Sequence, residues 1–192
     1  MGATLRGRDA TRPVPDGSYR FVRIGDVSQD GTLRTEDFIR IEPNEPVNDE
    51  LCLRPGDVLF PNRGTRTTAL AFRLNQPRTI VGAQFFILRV DKERALPEYL
   101  AWFLRSEEAG RYFESHRKGT YVQIIQRSAL ADLEIPLPSL AVQQRIVQVA
   151  GLVVVERDLT ERLANLKWLC ANEQLVRTAR KSAKSKPKNS HP

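Results

Sequence analysis

The chain has 192 residues, is 41% hydrophobic and carries a formal charge of +7, with two cysteines and two histidines. That length suits one substantial core plus an appendage rather than two domains. No apolar run approaches the roughly 18 residues of a membrane span, no apolar leader follows Met1, so a cytoplasmic location is expected, and Cys52 and Cys170, far apart and without histidine company, argue against a disulfide framework or a zinc site.

Residues 18–24 and 38–41 read as strands, with a turn at Asp30-Gly31 between them. Pro55-Gly56-Asp57 marks a second turn. Val58-Leu59-Phe60 then forms a strand that runs into the polar loop Pro61-Asn-Arg-Gly-Thr-Arg-Thr-Thr68. Residues 69–74 follow as a strand, and the run 83–90, rich in Phe, Ile, Leu and Val, is expected to be central in a sheet. Residues 97–113 read as one helix, because Pro97 suits a first turn and Leu100, Phe103 and Leu104 share a face.

A glycine-led polar loop from Gly119 and a short β segment come next, and Ile135-Pro136-Leu137-Pro138 then stops regular structure. The prolines remove backbone donors and push the preceding residues into extended conformations. Ser139 offers a side-chain oxygen to a following helix and is expected as its N-cap, with Gln143 one position late for a capping box. From there to Val176 the chain has no proline and one glycine, Gly151, while apolar residues recur at Ile146, Val149, Val153, Leu159, Leu163, Leu166, Leu169 and Val176. Those spacings predict a helix near 55 Å long at about 1.5 Å per residue, which needs a partner helix to cover its stripe; the alternative is a helix that folds back on its own domain or is broken near Gly151.

The charge is unevenly placed. Residues 177–192 hold six basic residues (Arg177, Arg180, Lys181, Lys184, Lys186, Lys188) and no acid, which leaves 24 basic against 23 acidic residues elsewhere. This segment is expected to be a disordered, solvated tail. Inside the body, eight acids between 24 and 50 face only Arg34 and Arg40, whereas six arginines between 51 and 90 face only Asp57. Such segregation would give a DNA-facing side and an acidic far side if folding preserved it.

Catalysis finds little support. No Gly-x-Ser-x-Gly, phosphate-binding loop, dinucleotide fingerprint or Asn/Asp-Pro-Pro-Tyr/Phe methyltransferase motif occurs, and Asp91-Lys92-Glu93 lacks nuclease spacing. His191 lies in the tail and His116 reads as a helix-end residue. Binding residues are sought on polar loops held by a rigid scaffold. The first loop offers Arg63, Gly64, Thr65, Arg66, Thr67 and Thr68; the second offers Lys118, Gly119, Thr120, Tyr121, Gln123, Gln126 and Arg127. Arginine pairs with guanine, glutamine with adenine, threonine with phosphate or a thymine methyl, and glycine lets backbone approach. For each side chain, a solvated or phosphate-contacting role stands beside base readout. Arg6, Arg8 and Arg12 are lesser candidates as an N-terminal arm.

Five segments in order carry a family resemblance: Arg23-Ile-Gly-Asp-Val-Ser28, Leu53-Arg-Pro-Gly-Asp-Val-Leu-Phe-Pro-Asn-Arg-Gly-Thr65, Leu96-Pro-Glu-Tyr-Leu-Ala-Trp-Phe-Leu-Arg-Ser106, Gly119-Thr120, and the Ile135-to-Gln143 junction with Gln-Arg-Ile146 after it. Over about residues 19–150 the chain resembles the specificity subunit of Type I restriction-modification systems. The resemblance implies an α+β (mixed α/β) target-recognition domain at 1–138, a long spacer and dimerisation helix at 139–176 using Ile146, Val149, Val153, Leu159, Leu163 and Leu166, and the basic tail at 177–192. It implies a non-catalytic subunit that binds double-stranded DNA at a split site, with no cofactor or metal of its own. A DNA methyltransferase (modification) subunit would supply the S-adenosylmethionine chemistry, a restriction subunit is left open, and a homodimer is expected. Full subunits of that family carry two recognition domains and two spacer helices, whereas this chain has one of each and resembles a half-subunit. Its opening strand is expected to be absent or differently supplied. The alternative from another class is an adaptor of a phage-defence system that uses the same fold to bind proteins.

Overall fold

The computed structural model describes residues 1–3, 5, 11–64, 68–117, 119 and 123–184. They fall in two units, Met1–Gln148 and Val149–Pro192. The first unit is α+β, as expected from sequence.

Two three-stranded sheets build the first unit. In one, β1 (Tyr19–Val22) lies between β2 (Ile39–Ile41), antiparallel, and β5 (Thr79–Val81), parallel. In the other, β3 (Asp57–Pro61) lies between β4 (Leu70–Ala71) and β6 (Phe85–Arg89), both antiparallel to it. Side chains alternate across each strand, so neighbouring residues enter different cores. Val58, Phe60 and Phe86 join a core with the helical residues Phe103, Leu104, Ala109 and Phe113, while Leu59 and Phe85 join Val22 and Val81 in a second core. Phe21, Ile41 and Ile80 form a third with Ala3. With both faces covered, β3 is buried along its whole length, which is why it reads as a continuous apolar run.

Several sequence expectations need correction. The strand expected at 18–24 ends at Val22, because Asp26 accepts from the Arg23 backbone N–H at 2.9 Å and from its guanidinium at 3.0 Å, which draws Ile24–Asp26 into a 3-10 turn. Strand β5 was not foreseen. The helix expected over 97–113 is two helices, α1 (Pro97–Leu104) and α2 (Glu107–His116). Ser106 breaks the run by capping α2, its hydroxyl accepting from the Ala109 N–H at 3.2 Å. Ser106→Ala should therefore cost about 1 kcal/mol of unfolding free energy, measurable by urea titration; an unchanged midpoint would remove the cap from the account. The β segment expected before the prolines is a single bridge at Ile124 followed by a helix, α3 (Arg127–Ala131). His116 is the last residue of α2, as its position in sequence implied.

The long helix α4 spans Leu140–Lys184, 45 residues. Ser139 stands at its N-cap position, its carbonyl accepting from the Gln143 N–H at 3.0 Å. The helix does not stop at Val176. Arg177, Arg180, Lys181 and Lys184 belong to it, and Arg177 pairs with Glu173 at 2.6 Å, one turn back; the remainder of the expected tail lies outside the described residues. Among the described residues no helix is long and apolar enough to cross a membrane.

Candidate nucleic-acid interface

The first polar loop leaves β3 at Pro61 and enters β4 at Leu70. Its base is rigid: the Asn62 backbone N–H donates to the Gln84 carbonyl at 2.9 Å, and its side-chain amide donates to the Ala83 carbonyl at 2.9 Å. The second loop leaves α2 after His116 and returns through Ile124 to α3.

These two loops are joined. Arg63 and Ile124 form an antiparallel bridge, the Gly64 N–H donates to the Gln123 carbonyl at 2.9 Å, and the Ile125 N–H donates to the Asn62 carbonyl at 2.9 Å. Ile125 anchors the join from below, 1% exposed within the helix-side core. Gly64 has a φ of +90°, in the left-handed region that glycine adopts without strain, and Gly119 has a φ of +111°. Arg63, Gly64, Gly119, Gln123, Gln126 and Arg127 are exposed. Gln126 is the residue before α3 and Arg127 its first.

Not every expected residue lies on this surface. Thr68 is 7% exposed, so its side chain is buried where the loop returns toward β4, and it is withdrawn as a contact. Thr65, Arg66, Thr67, Lys118, Thr120 and Tyr121 lie outside the described residues, as do Arg6 and Arg8, while Arg12 is exposed.

Residues not singled out from sequence support the loops. The Arg105 guanidinium, after α1, donates to the Ala69 carbonyl at the exit of the first loop. Burial pushes the pKa of Arg105 below its ordinary value, and Asp30 opposes that shift. Gly31, φ +76°, closes over this guanidinium; a Cβ there would stand 2.2 Å from Arg105 Nη1 and 2.3 Å from the Ala69 carbonyl oxygen. The Asp30-Gly31 turn was legible, but not its packing on Arg105.

Among the described residues of the arginine-rich segment, two arginines are engaged in ion pairs. Arg89 pairs with the buried Asp57 at 3.2 Å and donates to the Glu50 carbonyl at 2.6 Å, and Arg73 pairs with Glu98 at 3.1 Å. Arg20 and Arg40 donate to the carbonyls of Pro77 and Gly17. Among the described residues, no group of His, Cys, Asp and Glu is placed to hold a metal ion.

No protein-family model and no curated protein matches the sequence. Solved structures do match. The HsdS subunit from Thermoanaerobacter tengcongensis aligns over 99% of this chain and 48% of its own, with 23% identity and a TM-score of 0.64. The S subunit of a Type-I restriction-modification system from M. genitalium aligns over 86% and 38%, with 17% identity and a TM-score of 0.50. The chain has the fold of a Type I restriction-modification S subunit. A third chain, from a structure concerned with complex assembly and conformational transition of the type I R-M system, aligns over 99% and 48%, with 20% identity and a TM-score of 0.57. This chain thus spans about half, or less, of the S-subunit structures it matches. The small sheets with their helices, followed by the long helix α4, match the recognition-domain and helical-spacer architecture of that fold.

Proposed function

We propose that this chain is a non-catalytic DNA-recognition subunit, a half-size form of the S-subunit fold, and that the joined loops read the DNA. The observation that carries this is the bridge between Arg63 and Ile124. It places an arginine and two glutamines, Gln123 and Gln126, on one exposed edge held by two buried cores. Polar donors and acceptors fixed on a rigid base are what base readout requires, since a mobile side chain would lose the ordering entropy on every contact.

The rest of the reading extends the likeness to S subunits beyond the fold. A methyltransferase subunit brings the S-adenosylmethionine chemistry, and a second copy of this chain supplies the other half of a split site through α4. The basic end of α4 and the residues after it add salt-sensitive, sequence-independent affinity.

Selection from a random duplex library tests the proposal. The wild type should enrich one motif, and Gln123→Ala should lower the preference for it by about 1–3 kcal/mol while the melting temperature stays unchanged. A chain that binds a protein partner but enriches no DNA sequence would make it an adaptor instead.

A further inference from the structure

Gln143 lies in the first turns of α4, yet it is 0% exposed. It does not complete a capping box. Its Oε1 accepts from the Leu96 N–H at 2.9 Å, and its Nε2 donates to the Arg94 carbonyl at 3.0 Å and the Pro138 carbonyl at 2.8 Å. Leu96 is the N-cap residue of α1, so one side chain ties the starts of two helices together. The Tyr99 hydroxyl, one turn into α1, adds a bond to the Pro136 carbonyl at 2.7 Å.

A polar side chain buried this completely costs free energy unless its groups are paired, and here both ends of the amide are. The bonds are directional, whereas apolar packing alone would let a helix slide or rotate. Continuing along the chain of contacts, α1 contributes Phe103 and Leu104 to the core that holds Val58 and Phe60 of β3, and β3 and β4 flank the first polar loop. A rigid path therefore runs from the start of α4 through Gln143 and α1 to the loop that bears Arg63.

We propose that Gln143 is a positioning residue that fixes the start of α4 against the recognition domain, and through it the separation at which a two-copy assembly accepts its two half-sites. This rests on the DNA reading above. It assigns sequence choice to the loops and spacing choice to the Gln143 junction, so the two are separable by mutation.

The experiment is selection from a random duplex library with the full chain, reading both the half-site motif and the distribution of distances between motif pairs. Gln143→Met keeps the side-chain size and removes all three side-chain bonds. The motif should be unchanged, while enrichment for the single wild-type spacing falls by about tenfold, the ratio carried by one hydrogen bond to a buried group. Arg63→Ala should do the reverse, altering the motif at the wild-type spacing. If Gln143→Met does not fold, Tyr99→Phe keeps the ring, loses only the hydroxyl bond, and should broaden the spacing in the same direction. An unchanged spacing distribution in a folded variant, or a changed motif, overturns the assignment. A wild type that enriches single half-sites without a fixed spacing overturns it as well, and one that enriches no motif overturns the DNA reading beneath it.

Discussion

Phe60→Ala is expected to lower the unfolding free energy by about 3–5 kcal/mol, the range for deleting a buried aromatic ring. Phe60 is 0% exposed and its ring centroid lies 4.9 Å from that of Phe113, itself fully buried. The cost should fall at the upper end because the site cannot collapse. Phe60 sits in the central strand, hydrogen-bonded on both sides, and its ring faces helices held by their own core residues. Domains of this size have about 5–15 kcal/mol in all, so the variant approaches the margin of folding. Because Pro61, Asn62 and Arg63 follow directly, loosening β3 also loosens the base of the first loop. Urea unfolding followed by circular dichroism measures the change, and a loss below about 1 kcal/mol would show that the helix layer is not packed against this strand as described.

The parts legible in sequence were those with a long or sharply punctuated signal. Pro55-Gly56 before Val58-Leu59-Phe60 located β3, and the prolines at 136 and 138 before Ser139 located the start of α4. Strand β5 escaped because Thr79-Ile80-Val81 is too short to show a period; its identity as a strand comes from parallel pairing with β1, a contact remote in sequence. The break between α1 and α2 escaped because the apolar spacing continues across it, and only the Ser106 bond to Ala109 reveals the cap. The two candidate loops were visible as polar, glycine-containing stretches, but their joining through Arg63 and Ile124 is tertiary. Gln143 was noticed as a local cap; its partners at Arg94 and Leu96 lie far back in the chain, where no local rule reaches. Of the arginines between 51 and 90, Arg73 and Arg89 pair with Glu98 and Asp57, acids that folding brings beside them.

The double substitution Leu159→Glu with Leu163→Glu is expected to abolish the proposed two-copy assembly while leaving the recognition domain folded. Val149, Leu152, Leu159, Leu163, Leu166 and Cys170 lie along α4 at the alternating three- and four-residue spacings of a coiled-coil seam, with Glu156 the polar member. The leucines are exposed in the single chain, Leu159 at 58% and Leu163 at 52%, so in the monomer a glutamate there meets water and costs little. Ile146, expected in the same stripe, is half-buried. In a two-fold pair each substitution appears twice, placing four carboxylates in the seam, and each unpaired charge taken from water costs several kcal/mol. The dimer dissociation constant should rise by at least about a thousandfold, equivalent to about 4 kcal/mol. Sedimentation equilibrium should then report monomer at concentrations where the wild type is dimeric, with the same melting temperature for the recognition domain. A wild type that stays monomeric at high concentration without any partner protein would remove the second copy from the proposal, and a double variant that remains dimeric would move the interface away from this stripe.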